Sequence, residues 1–241
     1  MKRMFYYMER DFRRWIRGRV NVVSTLILPA AWLIFVGLAL PIRFTDNYLD
    51  FIAPGILVLT MLGASLQGGG LLMFDKILGY LPKFLAMPAP RESILFGKIL
   101  FITLRGLIQT TVILVIAILL GAHFLDPVLL LAIYTVLFVF GLLLSSLMTT
   151  VALKLEDHDS YSAINAMVSM PLFFTSSALM PYEEMPGWLA ALARLNPVSY
   201  AIDAIRDLQT GVFPAVTLLG LLVGAVLILL VSVAVFRRAT V

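Results

Sequence analysis

The sequence contains no cysteine and only two histidines. Disulfide frameworks and thiolate metal sites are thereby excluded, and redox chemistry gives no sign of compartment. Charge is scarce as well: Asp, Glu, Lys and Arg make up 13% of the 241 residues, while apolar types reach 61%. With a mean hydropathy of +1.00, such a chain cannot cover itself with polar atoms, which excludes a soluble globular enzyme. The phosphate-cradling pattern Gly-x-x-x-x-Gly-Lys-Ser/Thr is also lacking. The one Gly-Lys pair, Gly97-Lys98, precedes Ile99 and has Glu92 where the first glycine should stand, so no ATPase site is expected. Linkers rich in Ser or Gly, low-complexity tracts and fixed-period repeats are missing too, and residues 1–241 read as a single membrane domain.

What is present is a series of six apolar runs, at 22–40, 51–74, 94–121, 128–153, 161–180 and 213–236. Each has about the 20 residues a helix needs to cross hydrocarbon. Barrel strands would be half as long and would alternate in polarity. The expected fold is therefore an all-α membrane protein with six transmembrane helices. The cations are unevenly shared among the connections. Fourteen Lys and Arg, seven of them within residues 1–20, fall on one side and three, Arg43, Arg194 and Arg206, on the other. The rich side is expected to be cytoplasmic, with both termini there. A formal charge of +4 carried by short loops beside apolar spans is a topology signal, and no nucleic-acid partner is expected.

Residues 1–20 place Met4, Phe5, Met8, Phe12, Trp15 and Ile16 at helical spacing, with Arg10, Arg13, Arg14 and Arg17 on another face. An amphipathic helix lying at the membrane interface, arginines towards lipid phosphates, is the expectation. A cleaved signal peptide would have a shorter apolar core than 22–40, so an uncleaved first span is expected.

Two connections are longer. In the coupling region, 75–93, Ile77, Tyr80, Leu81, Phe84 and Leu85 form a short apolar face beside Lys76 and Lys83, and Pro88 and Pro90 stop the helix. That face either rests on lipid or inserts into a cytoplasmic partner. In the external stretch, 181–212, Pro186 and Trp188 open one short helix. Asn196 and Pro197 then supply a cap and a first-turn proline for a second helix. Two half-length helices hinged there suit a re-entrant pair shielded by protein. Two interfacial helices on the outer surface are the alternative. Asp203 and Arg206, three apart on the second helix, could pair there and hold the hairpin closed.

These residues carry a resemblance. The pattern Asp75-Lys76, Gly79, Leu81, Leu85, Pro88, Arg91 and Gly97-Lys98, with the external run FTSSALMPYEEMPGWLAALARLNPVSYAIDAIRDL over 174–208, resembles the type 2 permease family of ATP-binding-cassette exporters. In the external run Pro181, Pro186, Trp188, Asn196, Pro197, Tyr200 and Arg206 match the family pattern. The resemblance covers essentially the whole chain. It implies a coupling helix at 75–93 that docks on an ATP-binding subunit, with Lys76, Gly79, Tyr80, Lys83, Phe84, Met87 and Pro88 as contacts, and a re-entrant pair capping the pathway. It further implies two ATP-binding subunits, a second permease copy as homodimer, and the cytoplasmic membrane of a prokaryote. No cofactor is expected on this chain, since ATP and magnesium would sit on the partner. The implied function is outward movement of an amphipathic drug, lipid or glycolipid. An ATP-independent channel or scramblase is the alternative, though no span carries an acidic ring, and Gly68 to Gly70 suit bending or close packing better than a filter.

Other signals are weaker. Arg105 lies inside the third span with Gln109 and Lys98 on its face, about 10 Å from Lys98 by helical rise. It either serves a pathway or snorkels to the headgroups. The fifth span's Asn165, Ser169 and neighbouring hydroxyls either line that pathway or hold helices together. Gly220 and Gly224 permit close approach within the bundle or between protomers. His158 between Asp157 and Asp159 reads as a solvated turn, and no metal is assigned. Glu183 and Glu184 could draw a cationic cargo or simply face water. Phe138, Phe140, Phe173 and Phe174 lean towards a small amphipathic cargo.

Overall fold

The computed structural model describes residues 2–39, 48–86, 90–124 and 126–238, and all regular elements among them are helical. In chain order these are α1 (Lys2–Arg17), α2 (Arg19–Ala39), α3 (Tyr48–Ile77), α4 (Tyr80–Ala86), α5 (Glu92–Leu119), α6 (Pro127–Lys154) and α7 (His158–Phe174). A 3-10 turn (Tyr182–Glu184), α8 (Gly187–Ala193), α9 (Pro197–Gln209) and α10 (Ala215–Arg238) complete them. Five, α2, α3, α5, α6 and α10, are long and apolar enough to cross a membrane, so this is a multi-pass membrane protein. Their ends fall within a few residues of the expected spans.

The exception is the fifth run. Expected to continue over 161–180, it is helical only to Phe174, and the 17-residue α7 is about 26 Å long. Its last carbonyls find side-chain partners. A helix leaves its last four carbonyls without partners, and here the Thr175 hydroxyl donates to the Pro171 carbonyl at 2.7 Å and the Ser176 hydroxyl to Phe173 at 2.7 Å. The chain then leaves the helix as a buried turn from Ser176 to Ala178. α7 still runs from beside Phe74, against whose ring His158 stacks at 4.6 Å, to the opposite end of α3, where Ala178 meets Gly55.

α3 is the central helix, packed against α2, α5, α6, α7 and α9. Between apolar helices in lipid the attraction comes from close packing, and small residues allow it. The Gly68 to Gly70 run serves this purpose: a Cβ on Gly69 would lie 2.5 Å from the Met148 carbonyl oxygen of α6, and one on Gly68 would enter the Ile102 side chain of α5. A Cβ on Gly224 of α10 would lie 3.1 Å from the Leu143 side chain of α6, whereas one on Gly220 would meet open space, so of that pair only Gly224 sits close to a neighbour inside the bundle.

Polar ties align the helix ends. Lys76 Nζ donates to the Leu155 carbonyl at 2.7 Å, and Arg237 meets Glu92 at 2.7 Å. The ends of α3, α6 and α10 and the starts of α5 and α7 thus share one face with α1 and α4, here termed the basic end. At the opposite end the Asp50 carboxylate accepts from the His123 backbone at 2.9 Å. Asp126-Pro127 and Asn196-Pro197 open α6 and α9 alike. Each cap side chain accepts from the amide two residues on, at 2.8 and 2.9 Å, and each proline fills a first-turn site that needs no donor. The expected Asn196 cap is thus observed.

Candidate functional site

The basic end is organised around a buried cation. Lys98, 1% exposed, places its ammonium 2.8 Å from Asp11 of α1 and 2.5 Å from Asp75 of α3. Arg10 bonds both carboxylates, at 2.7 and 2.8 Å, with Arg14 3.9 Å from Asp75. Burial works against the Arg10 charge, but Asp11 and Asp75 outweigh it and raise its pKa. A lone charge in such a setting would be costly, whereas a satisfied cluster fixes geometry.

This cluster changes one part of the expectation for α1, the outward placement of Arg10. α1 is helical as predicted but packs on α5, with Phe12 edge-on to Phe101 at 4.8 Å. Arg10 turns inward, while Phe5 and Ile16 of the apolar face remain exposed. Asp11 was not singled out from sequence. Its signal was an acid on a largely basic and apolar helix, facing a lysine embedded in an apolar run.

α4 is mounted beside this cluster. Gly79 supplies the turn between α3 and α4 with φ of +68°, a conformation glycine adopts without penalty. Leu81 is buried, and Phe84 packs edge-on to Tyr7 at 5.3 Å under the Arg10 guanidinium at 4.6 Å. Ile77, Leu78, Tyr80 and Lys83 face outward. Lys76 is engaged with α6 carbonyls. The predicted contacts Met87 and Pro88 lie outside the described residues, as does Arg43.

A row of half-open clefts follows α3 along the face it shares with α2 and α7. One of about 270 Å³ lies between Asp11, Arg14, Trp15 and Arg105, and one of about 280 Å³ between Arg105, Asn21, Gln67, Tyr161, Ser162 and Asn165. A third, of about 340 Å³, runs past Thr25, Gln67 and Gln109, and a fourth, about 290 Å³ and apolar, reaches Trp32, Ser169, Phe173 and Phe174. The four predicted pathway residues, Arg105, Gln109, Asn165 and Ser169, therefore all line this row. Snorkelling does not describe Arg105: it is 4% exposed and donates from Nη2 to the Ala64 carbonyl at 2.6 Å. Gln109 donates to Thr25 of α2 at 2.6 Å. His158 is no solvated turn, since it stacks on Phe74 and lines the second cavity. Phe140 is buried in the core, so of the named aromatics Phe173 and Phe174 face the row.

At the opposite end α9 inserts among α3, α6 and α10, while Trp188 and Leu195 near α8 are exposed. Asp203 and Arg206 do not pair with each other. Asp203 accepts from the Ser177 hydroxyl at 2.9 Å and the Tyr182 hydroxyl at 2.5 Å. Arg206 donates to the carbonyls of Ser177 at 2.9 Å and Phe51 at 3.0 Å, with its guanidinium 3.8 Å from the Phe51 ring centroid. On a helix the two side chains can meet, but the folded-back turn 176–178 offers both better partners. Burial raises the Asp203 pKa against the pull of those hydroxyls, pushes Tyr182 up to about 12 and brings Arg206 down to about 10. Asn196 also donates to the Leu172 carbonyl at 2.9 Å and the Thr175 hydroxyl at 3.0 Å, tying α9 to the end of α7. Pro186 precedes α8, and Glu183 and Glu184 sit in the 3-10 turn.

Residues 3–210 match the ABC-2 type transporter family. A protein described as the transport permease ycf38 of Cyanophora paradoxa is 32% identical over 217 residues, 87% of this chain and 75% of that protein. The doxorubicin resistance ABC transporter permease protein DrrC of Mycobacterium tuberculosis is 29% identical over 96% of this chain and 87% of its own length. The daunorubicin resistance ABC transporter permease protein DrrB1 of Streptomyces coeruleorubidus is 27% identical over 80% of this chain and 69% of its own.

Proposed function

The chain belongs to the ABC-2 type transporter family, and from that premise we propose that it is the permease subunit of an exporter driven by ATP on a separate subunit. The observation that carries this reading is the mounting of α4. Its Leu81 and Phe84 are sunk against α1 and α3, while Tyr80, Lys83, Ile77 and Leu78 project from the basic end. A rigidly held, partly apolar projection is what a motor subunit needs to move the helices behind it.

In this reading the basic end is cytoplasmic, in agreement with the positive bias of its connections, and the membrane is the inner membrane of a prokaryote. All six long helices cross, α7 included, its shorter length made up by the turn that follows. Closure of two ATP-binding subunits displaces α4. Asp75 and Lys98 pass the displacement to α3, α5 and α1 together, and the cavities along α3 open. Two copies of this chain form the assembly, with α8 and α9 dipping into the outer leaflet, where Trp188 and Leu195 meet lipid. The cargo is an amphipathic drug, lipid or glycolipid; the names of the two resistance permeases point to the amphipathic class.

The test is purification of the chain with the ATP-binding subunit encoded nearest to it, followed by reconstitution. Nucleotide-dependent, outward movement of a fluorescent lipid is expected. Movement that proceeds equally without ATP, or an ATPase that never associates, would overturn the reading.

A further inference from the structure

Arg105 is a buried cation without an acid. Among the described residues no carboxylate forms an ion pair with it, and Asp11, the acid that lines the first cavity with it, is held by Lys98 and Arg10. Its Nη2 has the Ala64 carbonyl, and its Nε is buried with no hydrogen-bond partner. A guanidinium inside a membrane bundle is costly without compensation, and here it stands between two cavities of about 270 and 280 Å³. The second is also lined by Asn21, Gln67, Ser162 and Asn165. Donors in number, and a cation whose counter-charge is not supplied by the protein, describe a receptor for an anion.

The cavities also connect chemically along the row. Gln67 and Asn21 are shared by the second and third cavities, and Leu28, Pro29, Leu59 and Gly63 by the third and the apolar fourth. Polarity therefore falls from Arg105 towards Trp32 and Phe173. We propose that Arg105 receives the anionic headgroup, a phosphate or carboxylate, of an amphipathic molecule whose apolar part lies against Trp32, Phe173 and Phe174. This rests on the transport reading above and gives it a substrate class: acidic amphipaths in preference to cationic ones.

The experiment uses the full chain purified without an ATP-binding partner, so failure of ATP-driven transport leaves its outcome intact. The chain is equilibrated with equimolar phosphatidic acid and phosphatidylcholine of identical tails, and retained lipid is counted by native mass spectrometry. Phosphatidic acid is expected to be retained about tenfold over phosphatidylcholine, the value of one charge-assisted bond. Arg105→Gln should abolish the preference, Arg105→Lys should preserve most of it, and Arg13→Gln, at an exposed cation, should leave it unchanged. Should Arg105→Gln fail to fold, Asn165→Leu is expected to reduce the preference roughly threefold, the loss of one neutral hydrogen bond. Equal retention of the two lipids by the wild-type chain, or a preference untouched by the folded variants, overturns the proposal. Excess inorganic phosphate should leave the lipid in place. Complete displacement would assign a free-anion site and overturn the amphipath.

Discussion

The Lys98 ammonium lies 2.8 Å from the Asp11 carboxylate, so the first helix of the chain is tied by charge to the third of its long apolar runs. Removing Lys98 as methionine would leave Asp11 and Asp75 facing each other with Arg10 and the more distant Arg14 to balance them. The expected cost is about 3 kcal/mol, the usual scale for breaking a buried ion pair. It should appear as a lowered melting temperature in detergent. Asp11→Ala should in addition free α1, and tryptic cleavage after Arg13 and Arg17 should accelerate. Unchanged cleavage would mean that α1 is held by its apolar contacts alone.

Asn196 has two separable duties. As cap it accepts from Val198, and as donor it reaches Leu172 and Thr175. Asn196→Asp keeps the cap and loses the donor, while Asn196→Ala loses both. The alanine variant is expected to cost about 2 kcal/mol and the aspartate variant about half that, read as the order of their melting temperatures. Equal melting temperatures would assign the whole effect to one duty.

The Asp203 carboxyl titrates above its ordinary value because it is buried. Between about pH 4, where the unfolded group titrates, and its raised folded value, the native state holds more protons than the unfolded one. Stability therefore falls as pH rises through that window. Asp203→Asn should remove this slope. Melting curves from pH 4 upward that show the same slope in variant and wild type would place the titration elsewhere.

At α4 the outward side chains and the inward ones should behave differently. Tyr80→Ala and Lys83→Glu are expected to leave folding intact and reduce transport about tenfold while the associated ATPase keeps turning over. Phe84→Ala should loosen α4 itself by removing the Tyr7 and Arg10 contacts, with a stability loss of about 3 kcal/mol. Full coupling in both outward variants would exclude α4 as the point of force transfer.

Much of this protein was determined by its sequence alone. Apolar runs of spanning length became α2, α3, α5, α6 and α10 because a lipid-facing backbone has no alternative to internal hydrogen bonding. Asn196-Pro197 began a helix because cap and first-turn requirements are satisfied by neighbours in the chain. Gly68 to Gly70 marked bending or close packing, and Arg105, Gln109, Asn165 and Ser169 stood out as polar groups within apolar runs. Tertiary structure alone decided what these polar groups met. Asp11, Asp75 and Lys98 converge from three helices, the Ser177 turn draws Asp203 and Arg206 away from each other, and α7 stops at Phe174, where Ser199, Asp203 and Arg206 of α9 hold the turn that follows. Periodicity and capping act over a few residues and can be read along the chain. The partner of a buried charge is chosen across the bundle, by whichever group the packing brings within about 3 Å.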